Sequence, residues 1–200
     1  MRVIGGSARR RQLKTPAVPG LRPTSDRVRE AVFDILGSLG VVESATVLDA
    51  FAGSGALGIE AISRGAASVT FVDIDRRAIA GIRENLAATG LDGPHGTIER
   101  GGDGPTTRLV RADLLEYLAR VPGTRFGVAL VDPPYPFGDW AVLLELLDAE
   151  VAVLGSARPI DVPPRFTVRR EYRYGGTLIT LVEATGPSSA DPRPTDKDPV

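Results

Sequence analysis

Asp49-Ala50-Phe51-Ala52-Gly53-Ser54-Gly55-Ala56-Leu57-Gly58 follows directly on the apolar run Thr46-Val47-Leu48, and its reading decides the fold. A short apolar run that stops at a glycine-rich turn reads as a strand buried on both faces, the kind found in parallel sheets. The pattern recurs at Val128-Ala129-Leu130-Val131, which runs into Asp132-Pro133-Pro134-Tyr135. In an open parallel sheet, ligands bind just beyond the carboxyl ends of the strands. Both turns are therefore expected to project into one crevice.

Working outward, Thr24-Ser25-Asp26 offers capping oxygens ahead of a periodic run, which predicts a helix. Val28, Ala31, Val32, Ile35, Leu36 and Leu39 define its apolar face, and Gly37 and Gly40 mark its end. Arg27, Arg29 and Glu30 fall off that face and read as solvated surface. Beyond the first strand, a helix should open near Ser54 or Gly55, carry Leu57, Ile59 and Ile62, and stop at Gly65. Residues 68–72 read as a second strand, followed by a helix with Ile79, Ile82 and Leu86 on one side. Residues 90–105 hold six glycines and two prolines and read as a surface loop. A third strand is expected over 108–112, a short helix over 114–118, a fourth strand over 128–131 and a helix over 140–147. This βαβα alternation argues for an α/β fold with helices on both faces of a parallel sheet.

The last third differs. Residues 150–154 are a candidate fifth strand, and the β-rich segments 165–174 and 177–183 are joined by Gly175-Gly176, a two-residue hairpin signal. A parallel sheet closed by an antiparallel hairpin follows. Residues 185–200, with four prolines and almost nothing apolar, read as a disordered tail.

At 200 residues the chain is long enough for one domain with a substantial core. Its net charge of −1 gives no global sign of nucleic-acid binding, but residues 1–22 carry Arg2, Arg9, Arg10, Arg11, Lys14 and Arg22 with no acidic residue. Such a block is either a phosphate-contacting arm or a solvated terminus. The absence of cysteine excludes disulfides, thiolate metal sites and a cysteine nucleophile. The single histidine, His95, sits in a Gly-Pro-His-Gly turn, so no metal site is expected. No apolar stretch approaches the ~20 residues of a membrane span, and no signal-peptide core follows the arginine-rich start, so a cytoplasmic location is expected.

Gly53-Ser54-Gly55-Ala56-Leu57-Gly58 fits the dinucleotide pattern G-x-G-x-x-G, with Asp73 20 residues after Gly53. However, four residues separate the strand from Gly53, and the first of them is a carboxylate, poorly placed for a pyrophosphate. A cofactor with an amino group and a sulfonium meets no such objection. Asp73 is placed to accept ribose hydroxyls, while Asp75 suits a helix cap. Asp113 either receives an adenine amine, with Ala112 giving a backbone contact, or caps the next helix. At the second turn, Asp132 and the carbonyl of Pro133 can accept the hydrogens of an exocyclic amine and push its lone pair toward a methyl donor. The prolines hold those acceptors stiffly, and Tyr135 offers a stacking face for an extruded base. The plainer alternative is a strand terminator.

Four blocks carry a resemblance: Val3-Ile4-Gly5-Gly6, Leu21-Arg22-Pro23-Thr24-Ser25-Asp26-Arg27-Val28-Arg29-Glu30, residues 49–65, and Asp132-Pro133-Pro134-Tyr135. Over about residues 2–183 the chain resembles the bacterial methyltransferases that modify the exocyclic amine of a guanine in small-subunit ribosomal RNA. The second block is the most specific to that family. The resemblance implies a Rossmann-like class I methyltransferase with a mostly parallel seven-stranded sheet, an antiparallel C-terminal hairpin and a small N-terminal extension bearing a β-hairpin. It divides the chain into a basic arm (1–22), a methyltransferase domain (23–184) and a tail (185–200). It implies S-adenosylmethionine held by Asp49, Ala50, Phe51, Gly53, Ser54, Gly55, Asp73, Ile74, Ala112 and Asp113, with Asp132, Pro133, Pro134 and Tyr135 around the target base. Arg9, Arg10, Arg11, Arg22, Arg27 and Arg29 would face RNA. The implied partner is ribosomal RNA or an assembling small subunit, and the implied state a monomer. Asp73 stands where relatives often have glutamate, and no Glu-Arg pair follows the fifth strand. The rival readings are an adenine amino-methyltransferase acting on DNA and a non-catalytic RNA-binding or assembly protein.

Overall fold

Strands form where the apolar runs were read, and their order explains why the two turns meet. In a computed structural model of the chain, residues 1–16, 25–92, 106–134 and 136–186 are described. Arg22, His95, Tyr135, most of the 90–105 loop and the tail from 187 lie outside them. In chain order the elements are α1 (Asp26–Ser38), β1 (Thr46–Ala50), α2 (Ala56–Ser63), β2 (Ser68–Asp73), α3 (Arg76–Thr89) and β3 (Thr106–Arg111). There follow α4 (Leu114–Arg120), β4 (Phe126–Val131), α5 (Trp140–Leu146), β5 (Ala149–Ser156), β6 (Phe166–Tyr174) and β7 (Thr177–Ala184). They build a seven-stranded sheet in the order β3-β2-β1-β4-β5-β7-β6. The first five in that order run parallel; β7 pairs antiparallel with β5 and with β6. The strand order reverses between β1 and β4, which lie side by side with Ala50 opposite Val131. A reversal of this kind opens a crevice at the strand ends, and both turns sit there.

The strand period of two sends alternate residues to two cores. Val47 joins Phe33, Leu36, Ile59 and Ile82 under α1, α2 and α3, whereas Leu48 joins Leu114, Leu118, Leu143 and Leu144 under α4 and α5. The fifth strand is longer than expected, eight residues from Ala149 to Ser156, because it is held on both sides by β4 and β7. No helix among the described residues is long and apolar enough to cross a membrane.

The N-terminal arm is fastened down over residues 1–16. It folds back on itself, with the Val3 and Leu13 N–H groups donating to the carbonyls of Arg11 and Met1. It then docks on α2. The Glu60 carboxylate accepts from the N–H groups of Ile4 (2.8 Å) and Gly5 (2.7 Å), and Ser63 Oγ accepts from that of Ala8. Gly6 makes the close approach possible: its φ is 73°, and a Cβ there would lie 1.7 Å from the Ser63 carbonyl oxygen.

Arg29 corrects the sequence reading. It is completely buried, not solvated, and cannot face RNA. Its guanidinium lies against Glu60 (3.8 Å), Asp26 (3.0 Å) and the carbonyl of Arg2. The buried face of α1 is Val28, Arg29, Val32, Phe33 and Leu36, rotated from the expected one. Its i, i+3, i+4, i+7 spacing includes Arg29, and a charge survives there because Glu60 comes opposite it. Arg27 and the arm residues Arg9, Arg10 and Arg11 are exposed, as expected.

Candidate active site

The strand ends enclose a cleft of about 1080 Å³ bounded by residues that follow β1, β2, β3, β4 and β5 and by the β6–β7 hairpin. The glycine turn lies buried behind it. Asp49, next to last in β1, turns its side chain beneath that turn, only 1% exposed, where Oδ2 accepts from the Gly58 N–H at 2.8 Å. Burial pushes this carboxyl well above the usual carboxylate range; the Gly58 bond works against the shift, and the nearby Asp132 and Asp73 charges add to it. The Gly55 N–H donates to the Ala52 carbonyl, and the Gly53 N–H donates to Asp73 Oδ2 at 2.8 Å. The amides of both glycines are thus spent on bracing the turn. Phe51 is held at φ 57°, a left-handed conformation that costs a non-glycine residue about 1–2 kcal/mol. Its ring reaches the cleft wall.

Asp73, at the end of β2, faces the cleft half-buried. Each of its oxygens accepts one backbone N–H, Gly53 on Oδ2 and Asp75 on Oδ1. A carboxylate oxygen has two lone pairs, so capacity remains for two ligand hydroxyls. Next to it Ile74, a large apolar side chain, is 67% exposed in the cleft, which suits the face of a flat ring. Asp75 caps α3 as expected, accepting from the Arg77 N–H, and the Arg77 guanidinium lowers its carboxyl to about 2. Asp113 caps α4, with Oδ1 accepting from Leu115 and Glu116, and it also lines the cleft beside Ala112. The helix cap is one of the two expected roles of this residue.

Across the strand reversal, Asp132, Pro133 and Pro134 form the opposite wall. The Phe137 N–H donates to the Pro134 carbonyl at 2.9 Å and closes a tight turn. That turn brings Phe137 edge-on to Phe51, with centroids 5.1 Å apart, and to Trp140, at 5.2 Å. Gly155 of β5 faces Asp132. A Cβ there would lie 2.6 Å from Asp132 Oδ1, so the absence of a side chain leaves the carboxylate its place.

Of the residues named from sequence, Phe51, Asp73, Ile74, Ala112, Asp113, Asp132, Pro133 and Pro134 line the cleft together. Asp49, Ala50, Gly53, Ser54 and Gly55 form the buried turn behind it. The arginines Arg9, Arg10, Arg11 and Arg27 are not part of its lining. Sequence reading missed Phe137, Trp140, Gly155, Glu60 and Asn85. Asn85 is buried on α3, where its amide exchanges hydrogen bonds with the backbone of Lys14 and donates to the Ser54 carbonyl. It thereby ties the arm to the turn. A polar residue among Ile82 and Leu86 on an apolar face was the available signal for it. Among the described residues no group of side chains could hold a metal ion.

Residues 1–182 match the family described as Conserved hypothetical protein 95. The chain is 36% identical over 203 residues to ribosomal RNA small subunit methyltransferase D of Escherichia coli, covering 96% of this chain and 94% of that protein. Among solved structures it is similar to yhhF of Escherichia coli, with TM-score 0.75, 34% identity, and 92% and 97% of the two chains covered. A hypothetical protein of Thermus thermophilus gives TM-score 0.74 and 32% identity over 92% and 99%.

Proposed function

Since the chain belongs to the family of Conserved hypothetical protein 95, that of the ribosomal RNA small subunit methyltransferase D proteins, we propose that it methylates the exocyclic N2 amine of a guanine in small-subunit (16S) ribosomal RNA. One observation carries the chemistry: the carboxylates of Asp73 and Asp132 face a single cleft from opposite sides of the strand reversal. The first suits a ribose and the second an amine.

The residues present fit S-adenosylmethionine. Asp73 would hold the ribose hydroxyls with the lone pairs that the Gly53 and Asp75 amides leave it, and Ile74, Ala112 and Asp113 would hold the adenine. Asp49 and the glycines brace the turn behind the cleft. The bound cofactor supplies an electrophilic methyl group on a cationic sulfur. The rest is done by this chain. Asp132 and the Pro133 carbonyl accept the hydrogens of the target amine, which draws its lone pair out of the ring and into line. Pro134 fixes that turn, and an amine proton leaves to solvent. Phe51, Phe137 and Trp140 form an apolar wall against which an extruded base packs; Tyr135 belongs to the same stretch of sequence. Arg9, Arg10, Arg11, Arg22 and Arg27 supply phosphate contacts, with residues 1–22 as the arm of a 23–184 methyltransferase domain.

The test is to incubate the protein and its D132A variant with labelled S-adenosylmethionine and three acceptors: small ribosomal subunits, free ribosomal RNA and duplex DNA. RNA products are then digested to nucleosides. Label in N2-methylguanosine with wild type alone is the expected result. Label in DNA adenine, or none in any acceptor while the cofactor binds, would overturn it.

A further inference from the structure

The outermost strand of the sheet, β6, carries a pattern that neither the arm nor the cleft accounts for. Residues 165–174 hold Arg165, Arg169, Arg170 and Arg173 against a single Glu171. The pairing of β6 with β7 shifts between Val168 and Arg170. Beyond the shift, Arg170, Tyr172 and Tyr174 lie opposite Leu181, Ile179 and Thr177 and so share one sheet face. The two tyrosines are half-buried with stacked rings, 6.4 Å between centroids and 28° between planes. Arg170 Nη1 donates to the Tyr172 hydroxyl at 3.1 Å. Tyr174, Thr177 and Ile179 also line the cleft that holds Asp132. The row Arg170, Tyr172, Tyr174 is therefore a continuous path from the sheet edge into the cleft.

Charges and an irregular register at an outer strand also guard it against pairing with another sheet. That role needs the arginines alone. The two tyrosines rest on the core beneath the sheet face, yet both stay only half-buried, and Tyr174 also lines the cleft. Alternating cations and aromatic faces are what a single-stranded nucleic acid uses: arginine neutralises phosphate, and a ring stacks on any base. A target amine has to leave its pairing before it can reach Asp132, so its neighbours arrive unpaired as well.

We infer that β6 binds the single-stranded RNA segment flanking the target nucleotide, with Tyr174 and Tyr172 as stacking platforms and Arg170 as a phosphate contact. This rests on the RNA methyltransferase reading of the cleft. The test uses the full chain and a fluorescein-labelled single-stranded RNA of about 12 nucleotides, within the span of known single-strand sites. Anisotropy is followed across a salt series, and S-adenosylmethionine affinity is measured in parallel. Tyr174→Leu should weaken RNA binding about fivefold or more, Tyr174→Phe should leave it unchanged, and neither should alter cofactor affinity. Arg170→Gln, an exposed change that leaves the fold alone, should reduce the slope of log affinity against log salt by about 0.7. If the wild type binds RNA and all three variants match it in affinity and slope, β6 is only a guarded edge and the inference falls. If the wild type takes up the cofactor but binds no RNA, the functional reading itself falls with it.

Discussion

β1 and β4 lie side by side, and each brings an aspartate to the same end of the sheet, yet Asp49, inside β1, and Asp132, one residue past β4, occupy opposite environments. Asp49 folds under its turn, buried, and receives the Gly58 N–H. Asp132 stays at the cleft wall, held open by the proline turn on one side and by Gly155 on the other. One carboxylate braces a turn and the other lines the cleft. What differs is the register: Asp49 lies within the paired strand, opposite Leu130, whereas Asp132 lies past the last paired residue, Val131.

The largest effect expected from this contrast is at Asp132. D132A should lower the methylation rate by about 10²–10³-fold, the scale of removing a placed transition-state group. Its melting temperature and cofactor affinity should match the wild type; a loss of fold would make Asp132 a brace as well. A third acid sharpens the comparison. Glu60 is as buried as Asp49 but has Arg29 and Arg64 against it. E60A would leave Arg29 with Asp26 as its one carboxylate and take the acceptor from the Ile4 and Gly5 amides, and should cost about 3–5 kcal/mol in urea unfolding. A cost near zero would mean that the arm releases Arg29 to water.

G155A comes next. The added methyl would meet Asp132 Oδ1, so kcat should fall about tenfold with S-adenosylmethionine affinity unchanged. The same factor in kcat for a G155A variant built on D132N would show that Gly155 does not act through Asp132. The smallest effect is at Asp49. Its folded carboxyl titrates above its unfolded value, so the native state binds the proton more tightly and ionisation weakens the fold. The stability carried by the protonated form is lost as pH rises from the unfolded pKa through the folded one. D49N keeps an acceptor for Gly58 without the charge. It should be the more stable protein at neutral pH, and the gap should close in acid; urea titrations at the two pH values read this directly.

The fold was legible in sequence because its signals are local. Val47-Leu48 and Ala129-Leu130 announce buried strands wherever they lie, and Ser25, Asp75 and Asp113 cap helices that begin beside them. The cleft-lining residues at strand ends, such as Asp73 and Asp132, were legible for the same reason. Arg29, Glu60, Asn85 and Gly155 were not, because each takes its meaning from a partner far along the chain. Arg29 is an ordinary surface arginine until Glu60 arrives opposite it. Gly155 is one more strand glycine until Asp132 lies 2.6 Å from where its Cβ would be.

The fastening of the arm has a consequence in time. Its hydrogen bonds to Glu60, Ser63 and Asn85 join residues 55 to 71 positions apart. At about 5–20 residues synthesised per second, the arm waits roughly 4–14 seconds for its last anchor. The arm is thus made before any of the residues that secure it, and Asn85 of α3 is the last of them. A chain cut before Asn85 would keep the anchors on α2 but lose both hydrogen bonds of the Lys14 backbone, and with them the tie between the arm and the glycine turn.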